Sequence, residues 1–363
     1  MRDVSIRKVL VTADTVGGVF TYSLTLAKAL AVHGVEVHLA TMGDLLRPEQ
    51  RAAAEAIPGL VVHESTFELE WMDDPWDDVR RSCDWLLALE DVLRPDVVHL
   101  NGYAHGALPF RAPKVVVAHS CVLSWWEAVL GEAAPARYDS YRRAVASGLA
   151  GADVVVAISA AMRDCLVRHY GHGANAIVIH NGAPEVPRPD MAEKAPFILS
   201  AGRVWDRAKN VETLARAAPR LPWPVKVAGW DAGTYPNVEA LGWLGPGRLD
   251  EVMRRASIFA LPARYEPFGL SPLEAALRGC ALVLGDIPSL REVWGDAALY
   301  VPPDDEHALA AALSELAAGD GRRLELARHA RARALTYPAA RTARSMLSLY
   351  SSLAERKELL SCA

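Results

Sequence analysis

The chain has 363 residues, 51% of them hydrophobic and 23% charged, and a formal net charge of −5. That length suits two domains, each burying its own core, and the composition is globular rather than disordered or fibrous. The acidic balance lacks the basic excess that wide phosphate contact with nucleic acid requires, so no nucleic-acid partner is expected. Five cysteines, Cys83, Cys121, Cys165, Cys280 and Cys362, contain no C-x-x-C pair. Neither a disulfide framework nor a zinc site is expected, and a reducing, cytoplasmic setting is. The first apolar run, Val9 to Ala13, meets Asp14 at once and is too short for a signal h-region. No segment reaches the roughly 20 apolar residues of a membrane span; peripheral membrane contact is left open.

In chain order, the first elements are a strand at Val9–Val11, a helix at Thr21–His33 and a strand at Val35–Ala40. Apolar Leu24, Ala27, Leu30 and Ala31 give the helix its spacing, and Gly34 stops it. This is a βαβ unit. Gly17 and Gly18 lie between the first strand and the helix. Glycine there lets backbone approach a ligand and frees amides to cradle an anion, or serves only as a turn. The acidic, Trp-containing stretch Glu68 to Asp78 reads as a surface loop. Strands follow at Val97–Leu100, Val115–Ala118 and Val154–Ala157, short unalternating runs of the kind buried on both faces of a parallel sheet. His119 directly follows the run Val115–Ala118; at a strand's carboxyl end it is either a ligand contact or a hydrogen-bonded structural histidine. Trp125, Trp126, Tyr103 and His105 are aromatics that stack on a sugar ring or simply pack.

A short strand at Ile177–His180 precedes Asn181-Gly182. Pro184, Pro187, Pro189 and Pro196 among polar residues then make a semi-stiff linker. The domain division is placed there: residues 1–186, then 187–338, with a last amphipathic helix over 339–363 crossing back to complete the first domain. A second strand series runs Phe197–Ala201, Val225–Ala228, Ile258–Leu261 and Ala281–Leu284, with helices between. Two doubly wound α/β domains predict a cleft onto which the carboxyl ends of both sheets face, the usual ligand position in such folds. Arg203, Arg207 and Lys209 follow the first of these strands and read as solvated cations unless a ligand recruits them. Trp243 and Leu244, within Gly242-Trp-Leu-Gly245, precede the next helix; core burial is the expectation for an isolated tryptophan.

The most informative segment is Arg264 to Cys280, RYEPFGLSPLEAALRGC. It follows a strand, turns at Pro267 and Gly269, and enters a helix that tolerates Pro272 near its start. A helix start after a glycine turn offers free N–H groups and a positive dipole end, a seat for a diphosphate. Glu266 and Glu274 would flank it, and carboxylates there suit sugar and ribose hydroxyls. Taken singly, each glutamate reads as a solvated or helix-dipole carboxylate.

With its Glu-x7-Glu pair inside EPFGLSPLEA, the chain resembles the retaining GT-B glycosyltransferases of family 4, and the expected features occur in order over nearly the whole chain. The resemblance implies two Rossmann-like domains and a nucleotide-diphosphate sugar as donor. It places Glu266 at the donor sugar, Glu274 at the ribose, and the backbone of Phe268, Gly269 and Leu270 at the sugar and diphosphate. It makes Gly17 and Gly18 the loop lining the phosphate and acceptor side. It sets His119 beside the transferring sugar, although Ser120 stands where the family usually has Asp. Arg203 and Lys209 match the cations that neutralise the departing diphosphate, each worth a few kcal/mol of barrier; the spacing is one residue longer than usual, which makes Arg207 a rival. Trp243 and Leu244 fall where the nucleobase is accommodated.

The implied reaction is hexose transfer to a hydroxyl acceptor, a polysaccharide, lipid or small molecule, by front-face attack. No carboxylate pair of the glycosidase kind is evident, and a donor phosphate oxygen takes the acceptor proton, so no general base is named. No Asp-x-Asp motif suggests a metal, and neither metal nor other cofactor is expected. Domain closure over the donor is expected. The rival readings are a GT-B sugar phosphorylase, a nucleotide-sugar epimerase, and a non-catalytic nucleotide-sugar-binding subunit. An NAD-binding protein fails because no G-x-G-x-x-G follows the first strand.

Overall fold

The computed structural model describes residues 6–191, 194–230 and 235–361. Its residues group into two units: one holds the chain up to Ser124, Ala133–Gly182 and the stretch from Ala339, the other Trp125–Glu132 and Ala183–Pro338.

The first unit is built on β1 (Lys8–Asp14), β2 (Glu36–Met42), β3 (Leu60–Glu64), β4 (Val97–Leu100), β5 (Lys114–Ala118), β6 (Val154–Ala157) and β7 (Ile177–Val178). All pair in parallel, in the order β3-β2-β1-β4-β5-β6-β7. The connecting helices are α1 (Gly18–Ala31), α2 (Pro48–Glu55), α3 (Trp76–Leu93), α4 (Val122–Leu130), α5 (Asp139–Gly151) and α6 (Ala160–Tyr170). From Trp125 onward, α4 groups with the second unit.

The second unit carries β8 (Ala195–Ala201), α7 (Val211–Ala217), β9 (Val225–Ala228), β10 (Glu239–Gly242), α8 (Pro246–Arg255), β11 (Ala256–Leu261), α9 (Leu270–Leu277), β12 (Ala281–Gly285), α10 (Pro288–Trp294), β13 (Leu299–Val301), α11 (Glu306–Ala318) and α12 (Asp320–Ala334). Its parallel sheet runs β10-β9-β8-β11-β12-β13. The core joins Leu214, Leu309 and Leu313 from the helices to Ile198, Val227, Ile258 and Val283 from the strands. After α12, the chain returns to the first unit as α13 (Ala339–Ser361). Ala343, Met346, Tyr350 and Leu353, at helical spacing, are its buried stripe. Residues 362 and 363, including Cys362, lie outside the described residues.

The doubly wound parallel architecture expected from the apolar runs is therefore present twice. Three central strands are sealed on both faces: every residue of β4, β11 and β12 is buried. The edge strands β3, β10 and β13 did not stand out in the sequence. None of β3 or β10 is fully buried, and in β13 only Val301 is; β3 ends in His63 and Glu64, β10 opens on Glu239, and β13 is only three residues long. The helix after β1 begins at Gly18, three residues before the expected Thr21.

In both sheets the order reverses next to the first strand, between β1 and β4 and between β8 and β11. Loops leaving the carboxyl ends at such a reversal are the natural ligand contacts of an open parallel sheet. One glycine allows the β4–β5 connection to sit tightly on its neighbour. A Cβ on Gly148 of α5 would lie 1.8 Å from the carbonyl oxygen of Tyr103, so only hydrogen fits there.

Candidate functional site

In the second unit, the loops leaving β8 and β11 are stitched together by several polar contacts. Asp206 caps a 3-10 turn over Arg207–Lys209 by accepting the Ala208 N–H at 2.9 Å. The next residue, Asn210, has φ 56° and is buried. Its amide nitrogen donates to the carbonyls of Pro262 (2.9 Å) and Pro303 (2.6 Å), and its oxygen accepts from Thr213. The Arg264 N–H donates to the Ala208 carbonyl at 2.9 Å. This frame brings Lys209 Nζ against a carboxylate oxygen of Glu266, with both side chains largely buried.

The other carboxylate oxygen of Glu266 accepts the Gly269 N–H at 3.0 Å, and its carbonyl accepts from Ser289 at 2.6 Å. Gly269 has φ 93°, and a Cβ there would press on Leu290 and Pro272 at 3.2 and 3.3 Å. Phe268 is buried edge-on against Tyr337, with ring centroids 5.7 Å apart, so this residue can offer a ligand only backbone. Leu270, half-buried, opens α9. Glu274, half-buried one turn on, has no side-chain hydrogen-bond partner among the described residues. Burial raises its carboxyl pKa, opposed by the charge of Arg278 and reinforced by that of Asp250.

Arg203 pairs with Asp206 at 3.3 Å and lies 5.7 Å from the ring centre of Trp205. Asp206 also accepts the indole N–H of Trp125 at 3.0 Å. Trp125, read from sequence as a sugar platform or packing residue, thus has its polar edge committed to the carboxylate that holds Arg203. Arg207, the rival cation, is exposed. The expectation that Trp243 is core is corrected: it is half-buried and stacks on the exposed Trp230, centroids 6.1 Å apart and planes 20° from parallel. Leu244 beside it is also half-buried. Short edge strand β10 leaves this end of the sheet without the cover a core tryptophan needs.

In the first unit, Gly17 is the N-cap of α1 and supplies no side-chain cap, and Gly18 is the first helical residue. The preceding Val16 N–H bonds to Asp14 at 3.3 Å. His119 leaves β5 half-buried, its ring against Tyr22 of α1 at 4.6 Å. Its Nε2 lies 2.8 Å from Asn101 Oδ1, an atom that also meets Nε2 of His99 at 3.0 Å. Asn101 is in turn tied to β1 by contacts with Thr12, at 2.9 Å from its backbone N–H to Oγ1 and 2.7 Å from its amide to the carbonyl. His99 Nδ1 reaches the Tyr350 hydroxyl at 2.5 Å. Burial, with a contribution from His99, drives the His119 pKa down to about 3, and burial drives that of His99 down to about 4.

Asn101, His99, Tyr22 and Tyr350 were not recognised as site residues from sequence. The one signal available was the position of Asn101 just past β4, opposite the β1 loop at the sheet reversal. The stretch Glu68 to Asp78 is also corrected. Leu69 is buried, Trp76 opens α3, and the Glu70 carboxylate accepts the backbone N–H groups of Tyr103 and Ala104 at 2.7–3.1 Å. Burial raises the Glu70 pKa against those hydrogen bonds. The stretch is a brace for the loop carrying Asn101. Among the described residues, no group of three His, Cys, Asp or Glu is placed to hold a metal ion, and no helix is long and apolar enough to cross a membrane.

Comparison with known proteins agrees with this architecture. The family description "Glycosyltransferase Family 4" matches residues 16–185, and "Glycosyl transferases group 1" matches residues 195–319. A D-inositol 3-phosphate glycosyltransferase from Xylanimonas cellulosilytica is 28% identical over an alignment covering 94% of this chain and 93% of the relative. Among solved structures, sucrose-phosphate synthase from Thermosynechococcus elongatus superposes with a TM-score of 0.77 at 19% identity, covering 98% of this chain and 100% of that one. HepE from Anabaena, solved with UDP and glucose, gives 0.73 at 17% identity, covering 95% and 100%. At those identities the likeness is one of fold, the two-domain GT-B fold.

Proposed function

The chain belongs to the family 4 glycosyltransferases, and from that premise we propose that it transfers a hexose from a nucleotide-diphosphate sugar to a hydroxyl acceptor with retention of configuration. The observation that carries this reading is the Lys209–Glu266 pair, closed onto the Gly269 amide at the start of α9. Departure of a nucleoside diphosphate builds negative charge on the leaving oxygens. Arg203 and Lys209 are two cations on one loop, each held by a carboxylate, and preorganised charge of this kind lowers such a barrier without reorganising. The N–H groups at the start of α9, from Leu270 on, add to the same field.

Glu266 has one oxygen on Lys209 and the other on Gly269, so it serves as a fixed acceptor for donor-sugar hydroxyls rather than as a nucleophile. Glu274 has an uncommitted carboxylate and takes the ribose hydroxyls. The stacked Trp243, with Leu244 beside it, offers an apolar face to a nucleobase. In the first unit, the Gly17–Gly18 helix start and His119 are the groups that the family resemblance assigns to phosphate and sugar. No general base is assigned: in front-face attack the acceptor proton passes to a donor phosphate oxygen as the sugar passes through an oxocarbenium-like state. With two protein cations supplying the charge, turnover is expected to be metal-independent and to persist in EDTA.

The test is a panel of UDP-, GDP-, ADP- and TDP-sugars screened for protection against thermal unfolding, since a ligand of the native state alone raises stability by mass action. Protection by one donor, lost in Arg203→Ala and Glu274→Ala, supports transfer and names the donor. Protection by inorganic phosphate or a free sugar alone would favour a phosphorylase and overturn this reading.

A further inference from the structure

Resting on the reading of His119 as a sugar contact, we propose that Asn101 is a positioning residue that locks His119 in its Nε2–H tautomer. Nδ1 is thereby left as a bare acceptor, which receives a hydroxyl and disfavours an anionic group. The assignment follows from which atoms can donate. The Thr12 carbonyl can only accept, so the atom of Asn101 that lies 2.7 Å from it is the amide nitrogen. Ser23 Oγ gives its own hydrogen to the Val19 carbonyl at 2.8 Å and therefore accepts the second amide hydrogen of Asn101 at 3.1 Å. Both donors of the side chain are used, and its orientation is determined.

Asn101 Oδ1 then faces the Nε2 atoms of His119 and His99 at 2.8 and 3.0 Å. A carbonyl oxygen has two lone pairs and no proton, so both rings carry their hydrogen on Nε2. For His99 the remaining nitrogen accepts the Tyr350 hydroxyl at 2.5 Å. The remaining nitrogen of His119 has no protein partner among the described residues, and it is not among the buried atoms left without one. It stays open to a ligand.

The neighbourhood keeps the ring neutral. The titratable groups around it are Tyr22 on α1, His99 on β4 and, beyond His99, Tyr350 on α13. Burial pushes both tyrosines up and His99 down, so each is uncharged at neutral pH. A neutral ring with its proton committed to Asn101 offers a ligand one lone pair and nothing else. A sugar hydroxyl can donate to it. A carboxylate or phosphate would set lone pair against lone pair and lose its hydration for no return.

The experiment is a long-range proton–nitrogen correlation spectrum of the full chain labelled with nitrogen-15 histidine, with no substrate present. At pH 7 and at pH 5, His119 and His99 should both show the neutral Nε2–H pattern. An Nδ1–H pattern or an imidazolium at His119 would overturn the proposal. Asn101→Asp retains an acceptor but favours the imidazolium, and should raise the His119 midpoint by more than one pH unit. Asn101→Ser should let His119 populate both tautomers. Wild-type tautomer and midpoint in both folded variants would show that Asn101 does not position the ring. If a nucleotide sugar protects the chain, one of its deoxy analogues should bind at least tenfold more weakly to wild type and equally to His119→Ala; uniform binding of the whole deoxy series would overturn the hydroxyl assignment. Failure of every nucleotide sugar to bind counts against the transfer reading and leaves the tautomer result standing.

Discussion

Lys209 and Glu266 are 57 positions apart in the chain and form an ion pair across the point where the second sheet reverses its strand order. Asn101 and Thr12 are joined by hydrogen bonds at the corresponding reversal of the first sheet, between β4 and β1. In each unit the polar link lies at the carboxyl-terminal side of the strands flanking the reversal, where an open parallel sheet presents its ligand contacts. One link is ionic and one neutral.

Lys209→Ala should lower turnover by about 10²–10³-fold, the usual effect of removing one preorganised donor to developing charge. Arg207→Ala, which removes an exposed cation, should leave turnover within about twofold. Steady-state kinetics of the two variants with the donor found by the thermal screen decides between them. Equal losses would mean that Lys209 has no special place at the leaving group.

Glu274→Gln keeps the shape of the side chain and removes its charge. Hydrogen bonds to a charged group contribute about 1.5–3 kcal/mol, so donor affinity should fall by roughly 10- to 100-fold with little change in maximal rate. Calorimetric titration with the same donor measures this directly, and an unchanged affinity would remove Glu274 from the ribose site.

Gly148→Ala should destabilise the protein by about 3 kcal/mol or more, because the added carbon would lie 1.8 Å from the Tyr103 carbonyl oxygen and a backbone must move. The neighbouring loop carries Asn101, so the His119 tautomer should also become mixed. Denaturant unfolding and the histidine spectrum test the two effects separately.

Stability should fall with acid over a defined window. His99 and His105 are buried, and burial drives each down to about 4 in the fold, whereas an unfolded histidine titrates near 6.5. Above pH 6.5 both states are neutral and these groups contribute no slope. Below it the unfolded chain takes up protons that the fold refuses, so stability declines until about pH 4. Two such groups give at most about 2.7 kcal/mol per pH unit. Ser82 Oγ donates to the Val79 carbonyl and so accepts from His105 Nε2 at 2.8 Å, while His105 Nδ1 is buried without a partner. His105→Leu should therefore remove about 1.4 kcal/mol per pH unit of the slope. Unfolding curves at pH 7, 6 and 5 read it.

Much of the fold was legible because a strand sealed on both faces is mostly apolar. Val97–Leu100, Val115–Ala118 and Ile258–Leu261 are runs of that kind, with His99 the one polar residue among them. Leu60–Glu64 ends in His63 and Glu64, Glu239–Gly242 opens on a glutamate and Leu299–Val301 is three residues long, so none of these edge strands stood out. The same asymmetry explains Trp243, whose type suggests core but whose place beside β10 leaves it half-open against Trp230.

Within the site, the sequence by itself determined which chemical groups stand at which strand ends: cations after β8, a carboxylate and glycine turn before α9, a histidine after β5. Local pattern suffices for that, because each group is placed by the few residues around it. Only the tertiary structure decided what each group is bonded to. Lys209 faces Glu266 rather than solvent, Trp125 serves Asp206, and the Nε2 atom of His119 is occupied by Asn101. The last of these depends on contacts reaching 89 residues to Thr12 and, through His99, 251 residues to Tyr350. A hydrogen bond is set by distance and direction between atoms, and those are properties of the packed sheets and helices that no stretch of sequence carries alone.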